Sequence, residues 1–334
     1  MKLKLVFFNI IIFLLLIVSL EIITRIFNLS SLTGTSKNLF ITNNDRHANA
    51  PNIEAIAFSK KVFTDNYGFR VSKKNFKYKS NNQSVLILGD SVSFGVGVDE
   101  KNTFVGLLRN EFSELNIFNS SVSGYHVGDY YNVVKKNSNL PNLNDIIFFY
   151  SLNDISFFEK TLVNKKNENV KKNIKFFNKL KSINLITKIN NFLRNKSFLY
   201  MWIKGFSSKP SERHFYYMHP LYGEKARIDK LKKSISELKK ISEEKNYSFF
   251  SVILPYEYQT RSNNCKSEYL DPQNIVKGIF ESLNINFSDY TNAFCNAVKP
   301  SSLFLKHDPL HLSKKGHNLV FDLLAKDLNY LKKY

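Results

Sequence analysis

A chain of 334 residues, 43% of them hydrophobic, is long enough to bury one sizeable core, so the expectation is a single large globular domain with appendages. Its formal net charge of +20 would ordinarily point to nucleic acid or anionic lipid. Lysine far outnumbers arginine, however, beside an excess of Asn, Ile and Phe of the kind AT-rich codon usage produces. No RNA- or DNA-binding motif accompanies the charge, so nucleic acid is excluded as a partner and the lysines read as a solvated surface.

At the N-terminus, Lys2 and Lys4 precede an apolar run from Leu5 to Leu20, which continues past Glu21 through Ile22, Ile23, Ile26 and Phe27. About 20 apolar residues cross a bilayer. A cleaved signal peptide would need small residues of the A-x-A kind after the run, and none follows at the right distance. No cysteine lies near it to carry a lipid anchor. Residues 1–29 are therefore expected to form an uncleaved signal anchor, a single-pass transmembrane helix. The preceding lysines hold its N-terminus in the cytoplasm and place the following domain outside, in the periplasm or on the cell surface. Cys265 and Cys295, the only two cysteines, fall in that exported part, where they can pair or stay free thiols.

Residues 30–81 read as a polar connector ending in a short extended region that contains Thr64-Asp65-Asn66-Tyr67-Gly68-Phe69-Arg70. Ser84–Leu88 is then a continuous apolar run broken by Gly89-Asp90-Ser91, as in a strand buried on both faces. Thr103–Leu115 has helical spacing, and Asn116–Asn119 and Asp145–Tyr150 read as strands. Helical Lys225–Glu244 and Pro272–Leu283 each precede a further strand, Tyr247–Leu254 and Asn284–Phe287. A last helix spans about Lys314 to Leu331. Alternating strands and helices predict an α/β fold: a three-layer α/β/α sandwich on a central parallel sheet over residues 82–334, with an insertion at about 155–224.

In such sheets, sites form at the carboxyl ends of strands. Gly89-Asp90-Ser91 ends the first strand and Ser151-Leu152-Asn153-Asp154 the third, so both face one crevice. A serine there is a nucleophile only if a base takes its proton and a third group orients that base. His307-Asp308-Pro309-Leu310-His311 offers the pair, with Asp308 one tight turn from His311. Donors for an oxyanion are available from the Ser91 N–H, the Gly124 N–H after the second strand, and the Asn153 amide.

These residues resemble the SGNH (GDSL-like) hydrolases, whose blocks are Gly-Asp-Ser, a glycine, Gly-x-Asn-Asp and Asp-x-x-His. All four occur here in that order, over roughly Ser84 to Leu331. The resemblance implies a flavodoxin-like sheet, Ser91 as nucleophile, His311 as general base, Asp308 as its orienting carboxylate, and Gly124 and Asn153 as oxyanion donors. One departure is that Ser151 stands where the third block usually has glycine. Asn66-Tyr67-Gly68-Phe69-Arg70 is similar to a segment that precedes the first block in anchored members associated with surface polysaccharides.

Each block alone has a plainer reading: Gly-Asp-Ser is a common tripeptide, Asn153-Asp154 suits a helix cap, and Gly124 suits a turn. Their order across one α/β domain carries the catalytic reading. His126, His214, His219 and His317 lack zinc-ligand spacing, and His307 reads as a neighbour of Asp308, so neither metal nor cofactor is expected. Residues 160–204 are lysine-rich and nearly free of acids, interleaved with Phe176, Phe177, Leu180, Ile183, Leu185, Ile186, Ile189 and Phe192 at helical spacing. Either a lid helix packed on the domain or a basic helix on an anionic membrane surface fits that pattern, the lid being preferred.

The expected activity is acyl transfer through an acyl-serine: a serine esterase or an O-acyltransferase. Resemblance and compartment together imply acyl, chiefly acetyl, esters of envelope or exported polysaccharide, so the expected partners are an acylated glycan or small ester and an envelope biosynthesis complex. The alternatives are a non-catalytic glycan-binding or assembly protein on the same scaffold, and a lipase or thioesterase.

Overall fold

The computed structural model describes residues 2–43, 46–157, 184–261 and 265–328. Ten strands lie among them, the central ones formed by runs rich in Ile, Val, Leu and Phe. In chain order these are β1 (Phe40–Asn43), β2 (Arg46–Asn49), β3 (Glu54–Ala57), β4 (Lys60–Thr64), β5 (Arg70–Val71), β6 (Ser84–Leu88), β7 (Asn116–Asn119), β8 (Leu143–Ser151), β9 (Ser248–Leu254) and β10 (Asn286–Asp289). Eight of them make one sheet in the order β10-β9-β8-β6-β7-β5-β4-β3.

From β7 to β10 all neighbours pair in parallel. Taken in chain order, that run reads 2-1-3-4-5, the flavodoxin-like arrangement, with its topological switch between β6 and β8. Every residue of β6 is buried, which explains its uninterrupted apolar sequence. Right-handed crossovers put the helices on two faces: the β6-to-β7 connection runs one way across the sheet and the later connections the other. Helix Phe104–Glu111 accordingly packs with Lys314–Asp327, and Val127–Lys136 with Lys225–Glu244. The latter buries Leu231, Ile235, Leu238 and Ile241, one stripe at spacings of three and four.

Residues 30–81 differ from the expected connector. β3, β4 and β5 extend the sheet antiparallel beyond β7, with Arg70 paired to Asn119, while β1 and β2 form a separate hairpin. These strands are two to five residues long, and β3 buries only Ala55 and Ala57. Alternation that brief, carried by alanine, leaves almost no strand signal.

Helix Lys2–Ile26 has no polar face between its charged ends, and its stretch Lys4–Ile26, which includes an 18-residue window of mean hydropathy 2.8, is long and apolar enough to cross a membrane. The expected insertion falls partly outside the described residues. Its remainder forms helices Asn184–Lys196, Phe198–Ser208 and Pro210–Met218. Cys265 and Cys295, whose pairing the sequence left open, form a disulfide.

Candidate active site

β6 ends in a turn so tight that a Cβ on Gly89 would lie 2.3 Å from Ser93 Oγ, so only glycine closes it. Asp90 caps the short helix Ser91–Phe94 by accepting the Val92 N–H at 2.9 Å, which sets Ser91 at the helix start. The far end of that helix is held by Arg70, fully buried, whose guanidinium donates to the carbonyls of Phe94 and Gly95, both at 2.5 Å, and of Val98 at 2.6 Å. Burial lowers the Arg70 pKa to about 10, which still leaves it charged at neutral pH. The preceding turn delivers this arginine: Asp65 Oδ1 accepts the N–H groups of Tyr67 and Phe69, each at 2.8 Å, and Oδ2 accepts the Tyr78 hydroxyl.

On the other side of Ser91, Asp308 Oδ1 accepts the N–H groups of Leu310 and His311, folding the Asp-x-x-His turn. Asp308 Oδ2 then stands 2.8 Å from His311 Nδ1, and His311 Nε2 stands 2.8 Å from Ser91 Oγ. A carboxylate only accepts, so Nδ1 carries the proton and Nε2 is free to accept the serine hydroxyl. Burial alone would lower the imidazole's pKa, but the charge and hydrogen bond of Asp308 outweigh it and leave His311 raised. Burial likewise works to raise Asp308, and His311 with the two backbone N–H groups turns that into a lowered value. Phe58 meets the imidazole edge-on, with ring centroids 5.1 Å apart.

Gly124 has φ +85°, in the left-handed region, and a Cβ there would approach the His47 ring at 3.4 Å. The β1–β2 hairpin braces this loop: His47 Nε2 donates to the Ser123 carbonyl at 2.7 Å, Asn49 Nδ2 to Ser121, and Arg46 to the Gly124 carbonyl while pairing with Asp129. In a trans peptide the carbonyl and N–H point opposite ways, so the Ser123 carbonyl held by His47 turns the Gly124 N–H away from the hairpin.

Asn153 is not left free, as the expectation of a simple donor had it: its Nδ2 donates to Asp90 Oδ2 at 2.9 Å. The amide has a second hydrogen to offer. Its orientation is fixed, because a flip would set Oδ1 against the Asp90 carboxylate. Ser151 donates through Oγ to Asp90 Oδ1 at 3.1 Å. Neighbouring Asp154 is fully buried and accepts from Tyr130; burial, then the nearby Asp90 charge, push its pKa well up.

Ser91, Gly124, Asn153 and His311 line one cavity of about 240 Å3, completed by His214 and Met218 from helix Pro210–Met218 and by Leu310. Asp308 stands behind His311. Sequence reasoning missed Arg46 and His47, which lie in the presumed connector, and His214, which carries no spacing signal. Asp90 was readable within its block, yet its link to Asn153 was not. Burial lowers the His214 pKa to about 4, so it lines the cavity as a neutral ring, edge-on to Tyr256. A serine alkoxide can be generated here beside hydrogen-bond donors for a tetrahedral oxyanion.

No family model matches the chain, and no curated protein matches it. Solved structures to which it is similar include a putative lipolytic protein of the G-D-S-L family from Desulfitobacterium hafniense, at 13% identity over 73% of this chain and 99% of that one, TM-score 0.43. Another is a psychrotrophic esterase from Pseudoalteromonas sp., at 15% identity over 76% and 100%, TM-score 0.44. A third is a catalytic mutant of an acetylxylan esterase from Geobacillus stearothermophilus, at 15% identity over 75% and 95%, TM-score 0.42.

Proposed function

We propose that this chain is a membrane-anchored, extracytoplasmic serine esterase or O-acyltransferase of the SGNH type, acting on short acyl esters of envelope or exported polysaccharide. The observation that carries the reading is His311 bridging Ser91 Oγ and Asp308 Oδ2, at 2.8 Å on each side. His311 Nε2 takes the Ser91 proton as Oγ attacks the ester carbonyl. The oxyanion rests on the Ser91 and Gly124 N–H groups and the Asn153 amide. Collapse expels the alcohol, which leaves with the proton from His311, and an acyl-serine remains. Water then gives hydrolysis, whereas a sugar hydroxyl gives transfer; either nucleophile loses its proton to His311.

A small acyl group is favoured by the cavity's volume of about 240 Å3, in which Met218 and Leu310 are the apolar side chains among the described lining residues. A glycan is favoured by a larger groove of about 880 Å3, lined in part by Ser120, Val122 and Tyr125 of the segment that carries Gly124, where Asn66, Asn132 and Lys136 offer hydrogen-bond partners for sugar hydroxyls and Tyr67 an aromatic face. The anchor reading rests on helix Lys2–Ile26, and the Cys265–Cys295 disulfide suits an oxidising compartment.

The test is covalent. Full-length protein in detergent, exposed to a fluorophosphonate, should gain one adduct on Ser91 by peptide mass mapping, and His311→Ala should lose it. Absence of labelling in folded protein would replace the enzyme with a non-catalytic scaffold. Release of acetate from acetylated polysaccharide, without release of fatty acid from a phospholipid, then separates glycan from lipid substrates.

A further inference from the structure

Helices Asn184–Lys196 and Phe198–Ser208 leave large apolar side chains uncovered: Leu185 is 66% exposed, Phe192 63%, Ile203 55% and Phe206 62%. On the first helix, Leu185, Ile189 and Phe192 recur at spacings of four and three, one stripe of an amphipathic helix. Its opposite, polar side is tied to the second helix through Asn190 Oδ1, which accepts from Tyr200 and Lys204. A stripe of this kind on a soluble surface is unstable without a partner.

The same helices are joined to the N-terminal helix at a defined height. Glu21 accepts the Ser197 hydroxyl at 2.8 Å and the N–H groups of Phe198 and Leu199 at 3.0 and 2.9 Å, so its carboxylate caps the second helix. Arg25 pairs with Glu21, donates to the Lys196 carbonyl at 2.5 Å and stacks over Phe198. Lys4 and Glu21 are about 25 Å apart along the helix axis at ~1.5 Å per residue, against a hydrocarbon core of about 30 Å. Glu21 therefore comes level with the boundary between acyl chains and headgroups. Residues 184–209 carry Lys188, Arg194, Lys196, Lys204 and Lys209 and no acid, a charge that suits lipid phosphates.

We propose that these two helices form an interfacial foot that lies on the anionic phospholipid surface beside the span, with Leu185, Ile189, Phe192, Ile203 and Phe206 dipped among the acyl ends of the headgroup region. The proposal rests on the reading of Lys2–Ile26 as a membrane span. The C-terminal end of the foot's second helix touches the proposed catalytic turn: Gly205 seats against the His307 ring, one edge of Phe206 meets that ring with centroids 5.1 Å apart, and Asp308 follows. The foot thereby holds the Ser91 cavity at a fixed height over the bilayer.

Trp202, the protein's one tryptophan, lies on this foot, edge-on to Phe206 at 5.2 Å, and is a built-in probe. Full-length protein is reconstituted into vesicles of phosphatidylcholine and phosphatidylglycerol, the former brominated near the headgroup end or near the chain terminus. Trp202 emission should fall about twofold with the shallow bromines and less with the deep ones, as for a helix in the interface plane. The double variant F192E/I203E, at two exposed positions that spare Phe206 and its contacts with His307 and Trp202, should lose most of that quenching while still taking the fluorophosphonate at Ser91. Unquenched Trp202 in protein that floats with the vesicles overturns the foot and leaves the span. Equal or stronger quenching by the deep bromines also overturns it, as does full quenching in the double variant. Protein that leaves the vesicles on carbonate extraction overturns the span itself.

Discussion

Ser151 Oγ donates to Asp90 Oδ1 at 3.1 Å, tying the end of β8 to the end of β6 across the switch point of the sheet. The same carboxylate caps Val92 and fixes Asn153, and it is only 1% exposed. Asp90 thus sets both the helix that begins at Ser91 and the direction of the Asn153 amide. Ser151 is one more donor to this hub.

Loss of that donor should affect stability more than turnover. Ser151→Ala should cost about 1–3 kcal/mol, the range for a hydrogen bond to a buried charged group, read from urea unfolding. Its kcat/KM on 4-nitrophenyl acetate should stay within about tenfold of the parent, since the bond is not one made only in the transition state. Asn153→Ala removes another bond to the same carboxylate, so it should cost similar stability and in addition lower kcat by roughly 10²–10³. A silent Asn153→Ala would remove Asn153 from the oxyanion site.

The His311–Asp308 pair gives a signed pH dependence. Burial lowers His311 and Asp308 more than offsets it, so the folded pKa lies above 6.5, and only neutral imidazole takes the Ser91 proton. Fluorophosphonate labelling rates should therefore climb with pH through a midpoint above 6.5 and then level off. In Asp308→Asn the raising charge is gone and burial remains, so the midpoint should move down and the plateau fall by about 10³–10⁴. The stability that the pair contributes is complete between 3.8 and 6.5. It is lost as pH rises through the raised His311 value or falls through the lowered Asp308 value. An unmoved midpoint in Asp308→Asn would dissociate Asp308 from the base.

Arg70 should resist conservative replacement. Its planar fork reaches three carbonyls at and beyond the end of the Ser91 helix, which an ammonium on a single stem cannot all satisfy. Arg70→Lys should lower the thermal midpoint and slow Ser91 labelling together. Retained labelling at a lowered midpoint would make Arg70 purely structural.

The difference between what was and was not legible follows from range. Ser84–Leu88 declared itself because burial on both faces demands an unbroken apolar run, and Asp308 and His311 because one turn of chain joins them. Residues whose roles depend on distant partners left no such trace. Arg46 and His47 act on a loop more than 70 positions away, and His214 enters the cavity from an insertion. The short strands β3 to β5 take their conformation from the sheet edge they extend rather than from their own sequence.

The Cys265–Cys295 bond closes a loop with a sequence separation of 30, pinning helix Thr291–Cys295 to the chain that follows β9. Loop-closure entropy for that length corresponds to about 3–4 kcal/mol of stabilisation. The bond lies outside the residues that line the Ser91 cavity, so its loss should act on stability alone. Cys265→Ser with Cys295→Ser should lower the unfolding free energy read from urea titration by that amount while Ser91 labelling at 25 °C keeps its rate. Reductant should reproduce the shift in the parent and do nothing in the double variant. A double variant as stable as the parent would show that the crosslink leaves the folding equilibrium untouched, and slower labelling would couple this loop to the cavity.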